Sequence, residues 1–199
     1  MNDQLDEFLQ ELENFGQTND AAGPDRSLRM LNITRDTGEF LAVLINAMQA
    51  RSILEVGTSN GYSTIWLAMA AAKIGGLVQT IEASDYKVAL ASMNFERAGL
   101  QPWIRQIHAD AGQALKEWMD EQFDFVFLDS YRSEYTRWWP DLKRIIRPGG
   151  LLVIDNAISH PEELQPLLSI LSKDPAFITS LVPVGKGEYL ASKVAQSIL

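Results

Sequence analysis

The sequence predicts an α/β fold, a doubly wound and mostly parallel sheet of seven strands that closes on an antiparallel hairpin. Three observations predict it. Short apolar runs alternate with helix-length segments from residue 52 to residue 172, and strands alternating with helices give a parallel sheet covered on both faces. The first apolar run enters a glycine-bearing turn and then a helix, in Ile53-Leu-Glu-Val-Gly-Thr-Ser-Asn-Gly-Tyr-Ser63. The last two runs, 177–183 and 188–193, are joined through Gly185-Lys186-Gly187, which is hairpin chemistry.

The elements follow in order. Residues 3–16 carry Leu5, Phe8, Leu9, Leu12 and Phe15 at helical spacing. That apolar stripe offers a cover for a site, a homodimer face, or simple packing on its own domain. Gly16 to Pro24 reads as a breaker-rich loop, and residues 37–49 as a second helix with Phe40, Leu41, Leu44, Ile45 and Met48 apolar. Strand 52–56 then precedes helix 62–73, strand 77–82 helix 85–98, and strand 103–108 helix 111–119. Strand 123–128 precedes helix 134–144, and strand 150–154 precedes helix 161–172. The expected organisation is a single domain over 1–199, with residues 1–50 as a helical cap and 51–199 as the core.

Composition narrows the function classes. With 199 residues, 46% hydrophobic and 22% charged, the chain can bury a full core. No apolar run approaches a membrane span, and the acidic start Met-Asn-Asp-Gln-Leu-Asp-Glu does not read as a signal peptide. The absence of cysteine excludes disulfides and thiolate metal sites, and a cytoplasmic location is expected. A net charge of −9 suits a small-molecule substrate better than nucleic acid or a membrane surface.

Ligands in such sheets sit outside the carboxyl ends of the strands, so the residues just after each strand carry the chemistry. A dinucleotide fingerprint would need glycines where Ser59 and Tyr62 stand. The run is instead Glu-x-Gly-x-x-x-Gly-x-Ser, with Glu55 ahead of the turn. A carboxylate there disfavours a pyrophosphate and suits a cationic amino-acid group. Glu82 ends the second strand, where an acid can accept from both hydroxyls of a ribose. Asp110 and Ala111 follow the third strand, placed for an adenine edge or for capping the next helix. Asp129 ends the fourth strand and Asp155-Asn156 the fifth. Asp-Asn after a strand is common turn chemistry. Beside Asp129, however, the set becomes two carboxylates and a carboxamide, hard oxygen donors that match Mg²⁺ or Ca²⁺.

These residues resemble those of the class I S-adenosylmethionine-dependent O-methyltransferases of the catechol and caffeoyl-CoA type, bacterial members included. The resemblance runs from about Met30 to Lys193. It rests on the glycine run through Thr64, Ile81-Glu82, Ala109-Asp110-Ala111, Phe127-Leu128-Asp129, Arg147-Pro148-Gly149-Gly150, Asp155-Asn156 and Leu181-Val-Pro-Val-Gly-Lys-Gly187. The resemblance implies S-adenosyl-L-methionine as methyl donor, with Glu55, Gly57, Thr58 and Ser63 around its methionine part. By the same resemblance Glu82 holds the ribose, and Asp110 and Ala111 flank the adenine. Leu31-Asn32-Ile33 resembles the segment that closes over the cofactor, so Asn32 and Ile33 would line its methyl group. Asp129, Asp155 and Asn156 would bind a divalent cation, usually Mg²⁺. The implied reaction is methyl transfer to one hydroxyl of a vicinal diol on a small aromatic acceptor. The cation would acidify that hydroxyl and hold it in line with the methyl.

The chain departs from the family pattern in two places. The family has a lysine three residues after the first metal aspartate as the base, whereas this chain has Arg132, and a guanidinium stays protonated. Arg132 could stabilise a phenolate or clamp an acidic substrate group. His160 offers a substitute base or a surface loop residue before Pro161. Relatives also carry an insertion after the Asp-Asn pair, but here Ala157-Ile158-Ser159-His160-Pro161 leads straight into a helix. The acceptor pocket is then more open, or completed by a partner chain. Tyr131, Tyr135, Trp138 and Trp139 cluster after Asp129. Of these Tyr131 is expected in the pocket, beside the cofactor or stacked on an aromatic acceptor, and at least one tryptophan in the core. Two other functions fit the same residues. One is methylation of a different small molecule with Arg132 as anion clamp. The other is S-adenosylmethionine binding without catalysis.

Overall fold

The computed structural model describes residues 3–23 and 25–195. Its sheet has seven strands, β1 (Ser52–Val56), β2 (Leu77–Glu82), β3 (Ile104–His108), β4 (Phe123–Leu128), β5 (Ile146–Ile154), β6 (Phe177–Val182) and β7 (Glu188–Lys193). They lie in the order β3-β2-β1-β4-β5-β7-β6. The pairings from β3 to β5 are parallel, while β7 inserts antiparallel between β5 and β6. The expected parallel sheet with a terminal hairpin is therefore what forms. Among the described residues no helix is long and apolar enough to cross a membrane.

Alternation of side chains along the strands divides the core in two. Ile53, Phe125, Phe127 and Val153 face a cluster with α1 (Asp3–Ala21), α2 (Arg35–Met48), α3 (Tyr62–Ile74) and α4 (Asp85–Ala98). Leu54, Val56, Val126, Leu128 and Ile154 face α5 (Ala111–Glu117), α6 (Tyr135–Ile145) and α7 (Pro161–Leu171). Most of the α1 stripe is covered by its own chain, with Phe8, Leu9 and Leu12 in a core cluster with Ile33, Leu41 and Ile65, while Phe15 stays exposed. Both Trp138 and Trp139 are core residues.

Element boundaries differ from the sequence reading in two informative places. Helix α1 runs on to Ala21 instead of breaking at Gly16. A Cβ at Gly16 would lie 2.6 Å from Asn32 Nδ2, so this glycine makes room for a neighbour and is not a helix stop. Pro24, the last residue of the expected loop, lies outside the described residues. Strand β5 begins at Ile146, because Ile146 pairs with Phe123 across an irregularity before the ladder resumes at Leu151.

Register then builds the site. Val56 pairs with Ile81 and Leu128, Leu128 with Ile154, and Ile154 with Tyr189. The residues beyond these, Gly57, Glu82, Asp129, Asp155 and Glu188, therefore share one rim of the sheet.

Candidate active site

A cavity of about 560 Å³ opens on that rim, within the range of small-molecule sites. Gly57, Ser59 and Glu82 line one side of it, and Asp129, Asn156 and Lys186 the other. The two sides meet because Gly57 has no side chain. At φ +107°, a Cβ there would come within 2.0 Å of the Asp129 carbonyl oxygen. The glycine thus lets the end of β4 lie directly against the loop after β1.

Glu82 is held ready at the cavity. Its Oε2 accepts from Ser59 N at 2.9 Å, and its Oε1 from Ala83 N and Ser84 N at 3.0 Å each. Over the same space lies the segment before α2. Asp20, in the last turn of α1, accepts from Met30 N at 2.8 Å and Leu31 N at 2.9 Å. Ser59 Oγ donates to the Met30 carbonyl at 2.7 Å. Met30 and Leu31 line the cavity. Asn32 and Ile33 turn away from it. Asn32 Nδ2 donates to the Leu12 carbonyl at 3.1 Å, and Ile33 is buried in the core.

Glu55 is fully buried beneath the loop. Ser63 Oγ donates to its Oε1 at 2.6 Å, while Thr80 at 2.6 Å and Thr64 donate to its Oε2. Thr58 Oγ1 is 2.6 Å from Thr80 Oγ1, which extends the hydroxyl network under the turn. Burial pushes the Glu55 carboxyl up to about 7, and the hydroxyl donors hold it from rising further. Asp110 accepts from Gln113 N at 3.0 Å as the cap of α5. It lines a separate hollow of about 300 Å³ with Trp138, and Ala111 is buried behind it.

On the opposite side of the cavity the carboxylates crowd together. Burial raises the proton affinity of Asp129, and the neighbouring Asp155 raises it further, while Lys186 and Arg132 oppose the effect. Asp155 is raised by burial too. Asn156, at φ +71°, donates from Nδ2 to Asp155 Oδ2 at 2.7 Å and to Asp129 Oδ1 at 3.3 Å. Its Oδ1 accepts from Ser159 Oγ at 3.1 Å. Exchanging the amide oxygen and nitrogen preserves the shape and turns Oδ1 toward the carboxylates, with Nδ2 donating to Ser159. Among the described residues no group of three or more His, Cys, Asp or Glu is spaced to hold a metal. The donor set at issue is two carboxylates and one carboxamide. It fits a hard divalent cation in chemistry, and two crowded carboxylates, Asp155 buried and Asp129 partly so, resist ionising together unless positive charge such as that ion meets them.

Several residues at the site escaped the sequence reading. Glu188 is fully buried beside Asp155, and Thr37 Oγ1 donates to its Oε1 at 3.1 Å. Its Oε2 has no donor among the described residues, so a hydrogen bond between the two acids requires a proton on one of them. Burial first and Asp155 second push the Glu188 carboxyl up. Lys87, Arg26 and Arg29 also line the cavity. Arg132 lines it as well, but its Nε donates to Glu163 Oε2 at 3.0 Å. His160 sits at the cavity with Nδ1 2.9 Å from Ser159 Oγ. Tyr131 lies at the cavity with its side chain largely exposed. Tyr135 is buried, its hydroxyl accepting from Ser130 N at 2.6 Å and fixing the turn after Asp129.

Comparison with known proteins points the same way. A family model described as O-methyltransferase matches residues 3–194. A catechol O-methyltransferase of Niastella koreensis is 37% identical over 131 residues, which cover 64% of this chain and 59% of that protein. One of Mycobacterium tuberculosis is 33% identical over 138 residues, covering 69% of this chain and 62% of that protein. The chain thus spans about three fifths of the length of these two curated relatives. An O-methyltransferase of Bacillus cereus, solved in complex with SAH, matches with a TM-score of 0.77 at 27% identity, covering 97% of this chain and 91% of that one.

Proposed function

Because this chain belongs to the O-methyltransferase family, whose model spans residues 3–194, we propose that it transfers a methyl group from S-adenosylmethionine to a hydroxyl of a small catechol-like aromatic, with Mg²⁺ or another divalent cation at the acceptor. One observation carries this reading. The same cavity is lined by the Gly57–Glu82 side, suited to a nucleoside, and by Asp129 and Asn156, suited to a cation. When bound, the donor supplies an electrophilic sulfonium methyl, and the cation supplies charge that acidifies a hydroxyl.

The residues of this chain do the rest. Glu82 accepts from the ribose hydroxyls with an orientation already set by Ser59, Ala83 and Ser84. Met30 and Leu31 form a wall that excludes water from the donor, pinned by Asp20. Glu55, Thr58 and Ser63 support the turn from below, while Asp110 and Ala111 bound the adenine side. Asp129, Asp155 and Asn156 would hold the cation, and Tyr131 offers a ring to a planar ligand. The described residues up to 50 act as the helical cap of a single domain. An acidic chain of net charge −9 favours a small acceptor over nucleic acid. The anion-clamp reading loses force because Glu163 already engages Arg132. A binding protein without catalysis would have no need of metal ligands beside the donor.

A panel of catechols with S-adenosylmethionine, assayed with Mg²⁺ and with EDTA, tests the proposal. Transfer that needs Mg²⁺ and vanishes in Asp155→Ala supports it. Transfer that survives both EDTA and Asp155→Ala refutes the metal role, and calorimetry showing no uptake of S-adenosylmethionine refutes the whole reading.

A further inference from the structure

The cavity is rich in cations for so acidic a chain, and they differ in what their charges face. Arg132 reaches Glu163 through Nε at 3.0 Å and Nη2 at 3.4 Å. Arg26 also lies near Glu163. Lys87 feels the charges of Glu82, Asp20 and Asp129, in that order, so its strongest pull comes from Glu82 across the cavity. His160 meets Ser159, and Arg29 is engaged as well. Lys186 differs. It lines the cavity and its charge acts on both Asp129 and Asp155. Arg132 also acts on both aspartates but is tied to Glu163, whereas among the described residues no hydrogen bond or ion pair ties the Lys186 side chain.

Backbone contacts fix the turn that carries it. The Lys186 carbonyl accepts from Ile158 N at 3.0 Å and Ser159 N at 3.1 Å, and the Gly187 carbonyl from Ala157 N at 2.8 Å. On the other side Gly185 N donates to Asp36 Oδ2 at 3.1 Å. A Cβ at Gly185 would lie 2.1 Å from Thr37 Oγ1, and one at Gly187 would lie 2.4 Å from Ile158 Cγ1. The turn is wedged between the start of α2 and the loop that carries Asp155 and Asn156. Lys186 is the only side chain of the three, and its anchored turn keeps the ammonium near charge that a reaction develops at this rim.

We propose that Lys186 is the acceptor-side cation, a residue whose ammonium faces the hydroxyl oxygen that receives the methyl and stabilises it once its proton has left. This rests on the methyl-transfer reading above. In the step the acceptor O–H bond breaks and its proton passes to solvent. An oxygen lone pair forms the new O–C bond as the C–S bond breaks, and that bonding pair stays on sulfur. A sulfonium and a phenolate thereby become a neutral thioether and a methyl ether, and Lys186 exchanges no proton or electron in the step. The cation attracts the oxyanion more than the neutral hydroxyl or the ether, so it favours the charged state from which attack occurs.

The probe is 4-nitrocatechol, whose colour reports ionisation of its hydroxyl, titrated against pH on the full chain with Mg²⁺. The variants are Lys186→Met, Lys186→Arg and Arg132→Met, with Lys186→Gln in reserve should the methionine variant fail to fold. Loss of the ammonium is expected to raise the bound-probe midpoint by about one pH unit, a tenfold change in ionisation. It is expected to lower kcat by about 10²-fold with calorimetric affinity for S-adenosylmethionine unchanged, and Lys186→Arg should restore most of the midpoint. A charge-removing variant at 186 with wild-type midpoint and kcat overturns the proposal, as does the same shift arising from Arg132→Met instead. A wild-type protein that binds neither nitrocatechol nor S-adenosylmethionine overturns the methyl-transfer reading itself. Donor binding and diol methylation that persist while the Lys186 variants leave the midpoint unmoved overturn the lysine role alone.

Discussion

Replacing Glu55 with glutamine should flatten the pH dependence of stability. The carboxyl is fully buried and stands at about 7, against an ordinary 4.5, because burial penalises its charge more than the hydroxyls of Ser63, Thr64 and Thr80 relieve it. The folded chain therefore holds this proton more tightly than the unfolded chain does. The stability that follows is fully present below about 4.5 and is lost as pH rises through about 7. That gap corresponds to about 3 kcal/mol between acidic and mildly basic solution. Glutamine cannot titrate, and its amide can fill the same network. Its oxygen would accept from Thr64 and Thr80, and its nitrogen would donate to Ser63 Oγ. The assay is urea unfolding of both proteins in EDTA from pH 4.5 to pH 8.5, since a bound ion would add its own linkage. Asp129, Asp155 and Glu188 shift in the same direction but remain in both proteins, so the comparison largely cancels them. The wild-type chain should lose about 3 kcal/mol more than Glu55→Gln across the range. Parallel pH profiles would refute the reasoning, because they would mean that Glu55 titrates alike in the folded and unfolded chain.

Other perturbations probe the remaining parts of the site. Gly57→Ala combines a φ of +107° with a Cβ 2.0 Å from the Asp129 carbonyl, so urea unfolding should show a loss of about 2–4 kcal/mol; a loss below about 1 kcal/mol contradicts the close approach. Asp155→Asn should abolish any rise in melting temperature that Mg²⁺ gives the wild-type protein, and an unchanged Mg²⁺ response counts against a cation at that rim. Asp20→Ala removes the acceptor of Met30 N and Leu31 N, so calorimetry should show S-adenosylmethionine affinity falling by about tenfold, while equal affinity means that the segment needs no such anchor.

How far the sequence could be read depends on whether a residue's neighbours lie along its own element. The strands were legible because Ile53, Leu54, Phe125, Val126 and their fellows are apolar on both faces, as burial between two helical layers demands. The placement of Glu82, Asp129 and Asp155 on one rim was legible because each stands at the end of a parallel strand. Packing contacts were not legible. Gly16 read as a breaker, yet it sits within α1 to admit Asn32, and Asn32 in turn points at Leu12 instead of the cavity. No local pattern in residues 16–33 carries that information, since the partner lies across a helix face.

The larger omission has a topological cause. Looking just beyond each strand for functional residues works when all strands run the same way. β7 runs the other way, so the rim that receives the ends of β1, β4 and β5 receives the start of β7. Glu188 opens that strand, and Lys186 stands in the turn before it. The sequence marked Gly185-Lys186-Gly187 as a hairpin turn but not the edge of the sheet to which it returns. Only the pairing of Ile154 with Tyr189 sets Glu188 beside Asp155, and the hydrogen bonds from Ile158 and Ser159 to the Lys186 carbonyl set the lysine against Asn156. An antiparallel strand in an otherwise parallel sheet thus supplies the site with residues from its amino end. In this fold the turn ahead of the last strand belongs with the carboxyl ends of the others when candidate residues are sought.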